Sequence, residues 1–345
     1  MQTDWQTFLQ TQGAHIEDGW VLDFGVPGQE ATVAMDGNII TALPFLSVVR
    51  VTGTDATGFL HGQFSSDVQN MPEGGIQLSA WCNPKGQVVV NFIIVRFADE
   101  FFLLLPDEMK DGFIKRLRMY ILRADVTLED CSNSFPCLGI KHKAGDQPTI
   151  LEIAGRLSSH ERATRDNGLV MLHLPVNRNR VIIFGPVQGI ETTWSEMQQT
   201  YSRVGSHYWQ LFDILDGLPW IHATTTESFL PQLLNMDQLQ AVSFNKGCFP
   251  GQEIIARLHY KGKTKQQMII ASLDDGTDIK PGMKIYQNNK EQSIGTIINC
   301  AIHPVMGMYI LAVLDTDHGA PDQLILKDNH ARFVQISIPS YFKLS

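Results

Sequence analysis

The stretch NKGCFPGQEIIARL (residues 245–258) sets a cysteine between a Lys-Gly pair and the expected start of a helix. Pro250 suits a first helical turn, and Ile254, Ile255 and Leu258 share one helical side. Gln252 and Glu253 fall near the N-terminus, where the helix dipole favours an acid. Cys248 precedes that turn by two residues with Lys246 beside it. A helix N-terminus and an ammonium both favour thiolate over thiol, which gives Cys248 a reason to be reactive. Packing as a small hydrophobe suits a free cysteine as well. Gly247 and Gly251 fit close approach of backbone or ligand, or turn geometry alone. At this range both readings stay open.

Just beyond, Arg257, Lys261, Lys263 and Lys265 fall within nine residues, with His259 and Tyr260 among them and no acid between Glu253 and Asp274. Cations interleaved with an aromatic suit a phosphate, a glutamate tail or RNA; a solvated linker face has the same composition. The chain as a whole carries a formal net charge of -9, which argues against a generic polyanion-binding surface.

The wider composition is that of a folded protein: 43% hydrophobic and 18% charged residues over 345 positions, long enough for two or three domains. The five cysteines, Cys82, Cys131, Cys137, Cys248 and Cys300, form no CxxC, so neither a zinc knuckle nor a dithiol redox motif is indicated, and a cytoplasmic setting is expected. No basic region followed by an apolar one opens the N-terminus, so it does not read as a signal peptide. The most apolar run, VVVNFIIVRFADEFFLLLP (88–106), is broken by Asn91, Arg96, Asp99 and Glu100, and reads as two strands rather than a membrane span.

From residue 47 the order of elements is legible. SVVRVTG predicts a strand, ATGFLHGQFSSDV a helix with Phe59, Leu60 and Phe64 on one side, and GIQLSAW a short strand. NPKG marks a turn before the QVVVNFIIVRF and EFFLLLP hairpin. DEMKDGFIKRLRMYILRAD predicts an amphipathic helix with Phe113, Leu117, Tyr120 and Ile121 inward and Arg116 and Arg118 off that face. VTLED then closes a β-α-β-β-α-β order, the signature of a ferredoxin-like unit. A second mixed segment spans about 135–203, through CLGIKH, GLVMLHLPV, RVIIFGP and a helix beginning GIETTW. GSHYWQLFDILDGLP has helical spacing ended by Gly217 and Pro219, with Trp209 and Tyr208 suited to stack on a flat ring or simply to fill a core. After Lys265, short β-rich runs between turn residues predict a small barrel or sandwich. GxSxG, Walker-type, HExxH and GxGxxG patterns are absent.

KGCFPGQE closely resembles the signature of the YgfZ-type folate-binding proteins, which are similar to the T-protein (aminomethyltransferase) of the glycine cleavage system. Lys246, Gly247, Cys248, Phe249, Gly251, Gln252 and Glu253 occupy its fixed positions. VTGTDATGFLHGQFSSDV, NPKGQVVVNFIIVR, WQLFDILDGLPWI and FLPQLLNMDQLQAVSFNKGC echo the family in order, so the resemblance spans roughly 45–265. It implies an α+β fold, a T-protein-like three-domain ring of two ferredoxin-like domains and a C-terminal small β-barrel. The expected domains are 20–110 with 205–262, then 111–204, then 263–345. It further implies a tetrahydrofolate or folate-derivative site involving Trp209, Asn91, Lys246, Gly247, Gln252, Glu253 and Arg257, with Cys248 as a functional thiol. The implied role is support of iron–sulfur cluster assembly or repair, and thereby tRNA thiolation, rather than a settled reaction. Expected partners are folate and iron–sulfur enzymes or assembly proteins, with transient cluster contact at the thiol and tRNA engaged only indirectly or weakly. No membrane partner and no resident metal are expected, and the chain reads as a monomer.

The alternative is a tetrahydrofolate-dependent aminomethyltransferase of T-protein type. T-proteins place a catalytic aspartate in a segment like NPKGQVVVN, where this chain has Val90 and Asn91, and usually an aspartate in the Cys248 slot. Their helix carries an acid two residues before its glycine; here that position is Leu215, with Asp216 displaced by one. Trp209 matches the tryptophan that YgfZ-type members set beside the folate, while another aromatic of that site falls at about Leu46.

Overall fold

A computed structural model describes residues 3–143, 163–262, 264–274, 278–288, 290–327 and 331–341. Helix α1 (Thr3–Thr11), the β1 (His15–Glu17) and β2 (Trp20–Asp23) hairpin, α2 (Pro27–Asp36) and β3 (Ile39–Ala42) come first. Next are β4 (Leu46–Thr52), α3 (Ala56–Gln63), β5 (Ile76–Cys82), β6 (Val88–Phe97), β7 (Glu100–Pro106), α4 (Asp107–Arg118) and β8 (Thr127–Asp130). They are followed by β9 (Cys137–Lys141), β10 (Thr164–Asp166), β11 (Leu169–Leu174), β12 (Asn177–Phe184), α5 (Val187–Met197), β13 (Ser202–Arg203) and α6 (His207–Leu215). Helix α7 (Gln252–Lys261) precedes β14 (Gln266–Leu273), β15 (Lys284–Gln287), β16 (Ser293–His303), β17 (Gly307–Asp315), β18 (Leu324–Ile325) and β19 (Phe333–Ser337). The chain divides into two compact units, one of residues 1–59, 70–77 and 93–209, the other of 60–69, 78–92 and 210–345.

The elements over 47–130 carry one strand more than the predicted β-α-β-β-α-β order and form a five-stranded sheet arranged β5-β6-β7-β4-β8, with β5 as the additional edge strand. Its last four strands are those of a ferredoxin-like unit, antiparallel throughout, as in Ile94 opposite Leu103, Val49 opposite Leu103 and Val51 opposite Leu128. The β-branched and aromatic run of β6 and β7 is buried almost along its whole length, which explains why it is apolar without alternation.

Helix α4 buries Phe113, Ile114 and Leu117 but stops at Arg118, short of its predicted length. The amides of Tyr120 and Ile121 bond back to Leu117 and Arg118 in i→i+3 turns, and Leu122 takes a positive φ of 48°. Tyr120 is therefore exposed and Ile121 only half-buried, contrary to the inward placement their spacing predicts. Tight turns, not an α-helix, set their direction.

The second segment forms a sheet of order β10-β11-β12-β9-β3-β13. The N-terminal residues contribute β3, which pairs with β9 (Ile40 opposite Ile140) and, in parallel, with β13. Over this sheet α1 and α5 pack Trp5, Leu9, Ile190, Trp194 and Met197 against Ile40, Leu138, Ile140, Val181 and Ile183. The Trp5 and Trp194 rings meet edge to face at 5.7 Å. Burial of each such side chain stabilises by about 1.5–3 kcal/mol before entropic costs.

The tail forms a six-stranded antiparallel sheet of order β18-β15-β16-β17-β14-β19. Ile269, Ala271 and Leu273 on β14 and Ile310, Ala312 and Leu314 on β17 point into one core, the period-two pattern of a sheet with one covered face. Among the described residues β18 and β19 are its edges, so the tail is a half-barrel where turn spacing predicts a small barrel or sandwich.

Candidate functional site around Cys248

The 245–258 stretch lies in the second unit, and a glycine contact determines its shape. In the NPKG turn, Asn83 Oδ1 accepts the amides of Lys85 at 2.9 Å and Gln87 at 3.0 Å, and Gly86 takes φ +77°. Gly251 packs directly on this turn. A Cβ there would stand 2.4 Å from Gly86 Cα and 2.6 Å from Asn83 O, and Gly251 itself has φ +80°. Two backbones thus meet where a side chain on Gly251 would clash and one on Gly86 would be strained by its positive φ, which accounts for Gly251 without a ligand. Gly247 differs, being exposed, with only His61 Nε2 within reach of an added Cβ, at 3.8 Å.

Gly251 is the N-cap of α7, so the helix begins at Gln252 and not at Pro250. Cys248 consequently stands four residues ahead of the first helical residue, outside the turn where the dipole acts. Helix α7 buries Ile255 and leaves Ile254 exposed, so the side that the spacing assigns to Ile254, Ile255 and Leu258 is only partly covered. Gln232 Nε2 bonds Ile255 O at 2.7 Å, and the Phe244 and His259 rings stack at 3.7 Å.

Lys246 is turned to a cage of carbonyls rather than to the thiol. Its Nζ donates to His61 O, to Phe64 O at 2.6 Å and to Ser66 O at 2.9 Å, and sits 5.1 Å from the centre of the Phe249 ring. Three ammonium donors meet three acceptors in the last turn of α3 and just past it, a complete match. Burial pushes Lys246 down to about 8, against the pull of Asp67. The loop from Lys246 to Phe249 is thereby pinned at both ends, and the exposed residues between them are Gly247 and Cys248.

Of the five cysteines, Cys248 alone is exposed. Burial raises Cys82 and Cys137 to about 12 and Cys300 to about 11. Cys131 also rises to about 11, chiefly through burial and then through Glu129. Those four thiols are held protonated, so accessible thiol chemistry falls to Cys248.

The remaining predicted residues are dispersed in role. Gln252 opens α7, with its Nε2 3.5 Å from Lys246 O, while Glu253 and Arg257 are exposed on its solvent side. Asn91 is buried on β6, donating to Pro219 O at 2.7 Å and accepting the Ile221 amide at 2.9 Å. Asn299 holds the residue between them from β16, accepting the Trp220 amide and donating to Trp220 O, each at 3.0 Å. Asn91 thus acts as one of two amide clamps on 219–221. Trp209 belongs to the first unit and is only 1% exposed. The Arg180 guanidinium lies 4.7 Å from its ring centre, and a Cβ on Gly139 would meet the ring at 2.6 Å. Its ring is packed as core rather than presented as an open platform. Lys263 of the basic window lies outside the described residues. Among the described residues no three His, Cys, Asp or Glu side chains stand together as a metal-ligand set.

Sequence reasoning passed over His61 and Asp67. His61 Nδ1 accepts the Gln69 amide at 3.2 Å and lies 3.3 Å from Asp67, while its Nε2 faces Gly247. Burial, and then the charge of Lys246, hold His61 below the usual imidazole value, against Asp67. HGQFSSD shows the pair in sequence, but nothing local links it to a loop so distant in the chain. Asp213, buried and bonded to Trp220 Nε1 at 2.8 Å, was hidden in the same way.

Comparison with known proteins extends the resemblance. The GCVT N-terminal domain model matches residues 24–141. The tRNA-modifying protein YgfZ of Blochmanniella pennsylvanica is 29% identical over 225 residues, 64% of this chain and 68% of the relative. That of Hamiltonella defensa is 25% identical over 303 residues, 86% of this chain and 89% of the relative. Among solved structures, the glycine cleavage system aminomethyltransferase T of Bartonella henselae superposes with a TM-score of 0.79 at 14% identity, over 99% of this chain and 97% of that one. That likeness is one of fold. The resemblance carried by Lys246–Glu253 therefore extends along most of the chain, which is similar in sequence to the YgfZ tRNA-modifying proteins and in fold to the glycine-cleavage T-protein.

Proposed function

We propose that this protein is a tetrahydrofolate-binding accessory factor that supports iron–sulfur cluster assembly or repair, and through it tRNA modification, with Cys248 as its working thiol. The observation that carries the reading is that the one exposed cysteine lies inside the KGCFPGQE match, on a loop whose two ends are pinned. Relatives named tRNA-modifying proteins support the tRNA link.

Two of the expected residues, Arg257 and Gln252, have side-chain chemistry suited to a folate. The exposed Arg257 guanidinium suits the carboxylates of a glutamate tail, and the Gln252 amide suits a polar ring edge. Asn91 and Lys246 act through the backbone segments they hold. When bound, tetrahydrofolate supplies a carrier for one-carbon units on its reduced pterin. Cys248 presents its sulfur to a partner, whose cluster or sulfur carrier is the cargo. The aminomethyltransferase alternative calls for an acid where Asn91 is occupied in clamping 219–221.

Calorimetric titration of the protein with tetrahydrofolate, paired with intrinsic tryptophan emission, tests the folate part. Saturable heat with a change in emission is expected. No heat and unchanged emission would show that folate is not a ligand.

A further inference from the structure

We propose that the tip following α4, residues 115–123, is a docking surface for an acidic protein that offers an apolar recess. The sequence KRLRMYILR carries Lys115, Arg116, Arg118 and Arg123 with no acid among them, in a chain of net charge -9. All four cations are exposed. Between them stand three large apolar side chains turned outward: Met119 at 64% exposure, Tyr120 at 49% and Leu122 at 88%. The tip is ordered by its own backbone. Amides of Met119, Tyr120 and Ile121 bond back three residues, Ala124 bonds Ile121 O at 2.9 Å, and Arg118 Nη2 donates to Leu128 O at 3.0 Å.

Leu122 adopts φ +48°, a conformation that costs a branched residue about 1–3 kcal/mol. Strain that holds an aliphatic side chain out in water brings the fold no burial, which points to a use outside the chain. The apolar area offered is on the order of a few hundred Å², comparable with the largest patch on a typical monomer, which is often functional.

Chemistry selects the partner. Aliphatic tips gain free energy only by entering an apolar recess, which a phosphate backbone does not offer. A membrane or an RNA also extends well beyond the screening length of about 8 Å, where it would meet the acidic remainder of this chain. A compact acidic rim around an apolar recess meets the four cations and the three side chains alone, as in interfaces steered by complementary charge.

The test places a photo-cross-linking amino acid at Leu122 in the full-length protein in cells, with Val334, exposed on β19, as the control site. The expected result is a protein adduct whose cross-linked peptide is rich in Asp and Glu. Its yield falls about tenfold or more in the Arg116→Glu, Arg123→Glu double variant. The purified adducted partner binds wild type tighter by a similar factor. Circular dichroism checks that the double variant folds, and Arg116→Gln with Arg123→Gln is the milder second variant. Cys248→Ala leaves the adduct unchanged, which separates this surface from the thiol reading. An adduct with RNA or lipid, one that survives charge reversal, or none above the Val334 control overturns the proposal.

Discussion

Gly251 and Gly86 meet backbone to backbone, close enough that a Cβ on Gly251 would stand 2.4 Å from Gly86 Cα. This contact joins the NPKG turn to the residue that starts α7, and so sets where the Cys248 loop ends. Gly251→Ala adds both a clash with immobile backbone and a strained φ, and is expected to cost at least about 2 kcal/mol in urea denaturation. Gly247→Ala, with open space around it, is expected to stay within about 0.5 kcal/mol. Equal losses for the two would show that the turn does not fix the loop.

Asn91 stands where T-proteins carry an acid, and its amide bridges Pro219 and Ile221. Asn91→Ala leaves a buried carbonyl and a buried amide without that partner, a loss of about 2–3 kcal/mol. Asn91→Asp introduces the acid that the T-protein resemblance implies but sets a carboxylate oxygen against Pro219 O, so it is expected to destabilise and to produce no aminomethyl transfer. Unchanged stability in Asn91→Asp would remove the clamp from the account.

His61 gives the loop a pH dependence. Burial and Lys246 lower its folded value below the ordinary 6.5, so between those two values the unfolded chain binds more protons. Stability is then present at pH 7 and is lost as pH falls through 6.5 toward the folded value. Urea midpoints between pH 7.5 and 5 are expected to fall more steeply for wild type than for His61→Gln. Parallel curves would show that His61 titrates alike in both states.

Much of this was legible from period and turn chemistry. The strand-helix order of 47–130 and the strands after Lys265 follow from β-branched runs bounded by glycine, proline and asparagine, and the sheets bear them out. The end of α4 was not legible, because Tyr120 and Ile121 keep the helical apolar spacing while i→i+3 turns redirect them. Strand β3 is not legible in the sequence, because a four-residue run declares itself only through β9, far along the chain. The Lys246 cage is the clearest case. Its carbonyl acceptors belong to residues 180 to 185 positions earlier, and backbone acceptors leave no mark in side-chain sequence. Both Gly86 and Gly251 were visible as glycines, but that they touch was not.

Cys248, exposed while the other four thiols are buried or half-buried, is the proposed working group. The most direct measurement is the thiolated-tRNA content of cells whose only copy of this protein is Cys248→Ala. An exposed sulfur contributes little packing, so the variant is expected to melt within about 1 °C of wild type, while thiolated tRNA falls to the level of cells lacking the protein. A wild-type level of thiolated tRNA in cells carrying the folded variant would contradict the account and return Cys248 to the role of an ordinary surface residue.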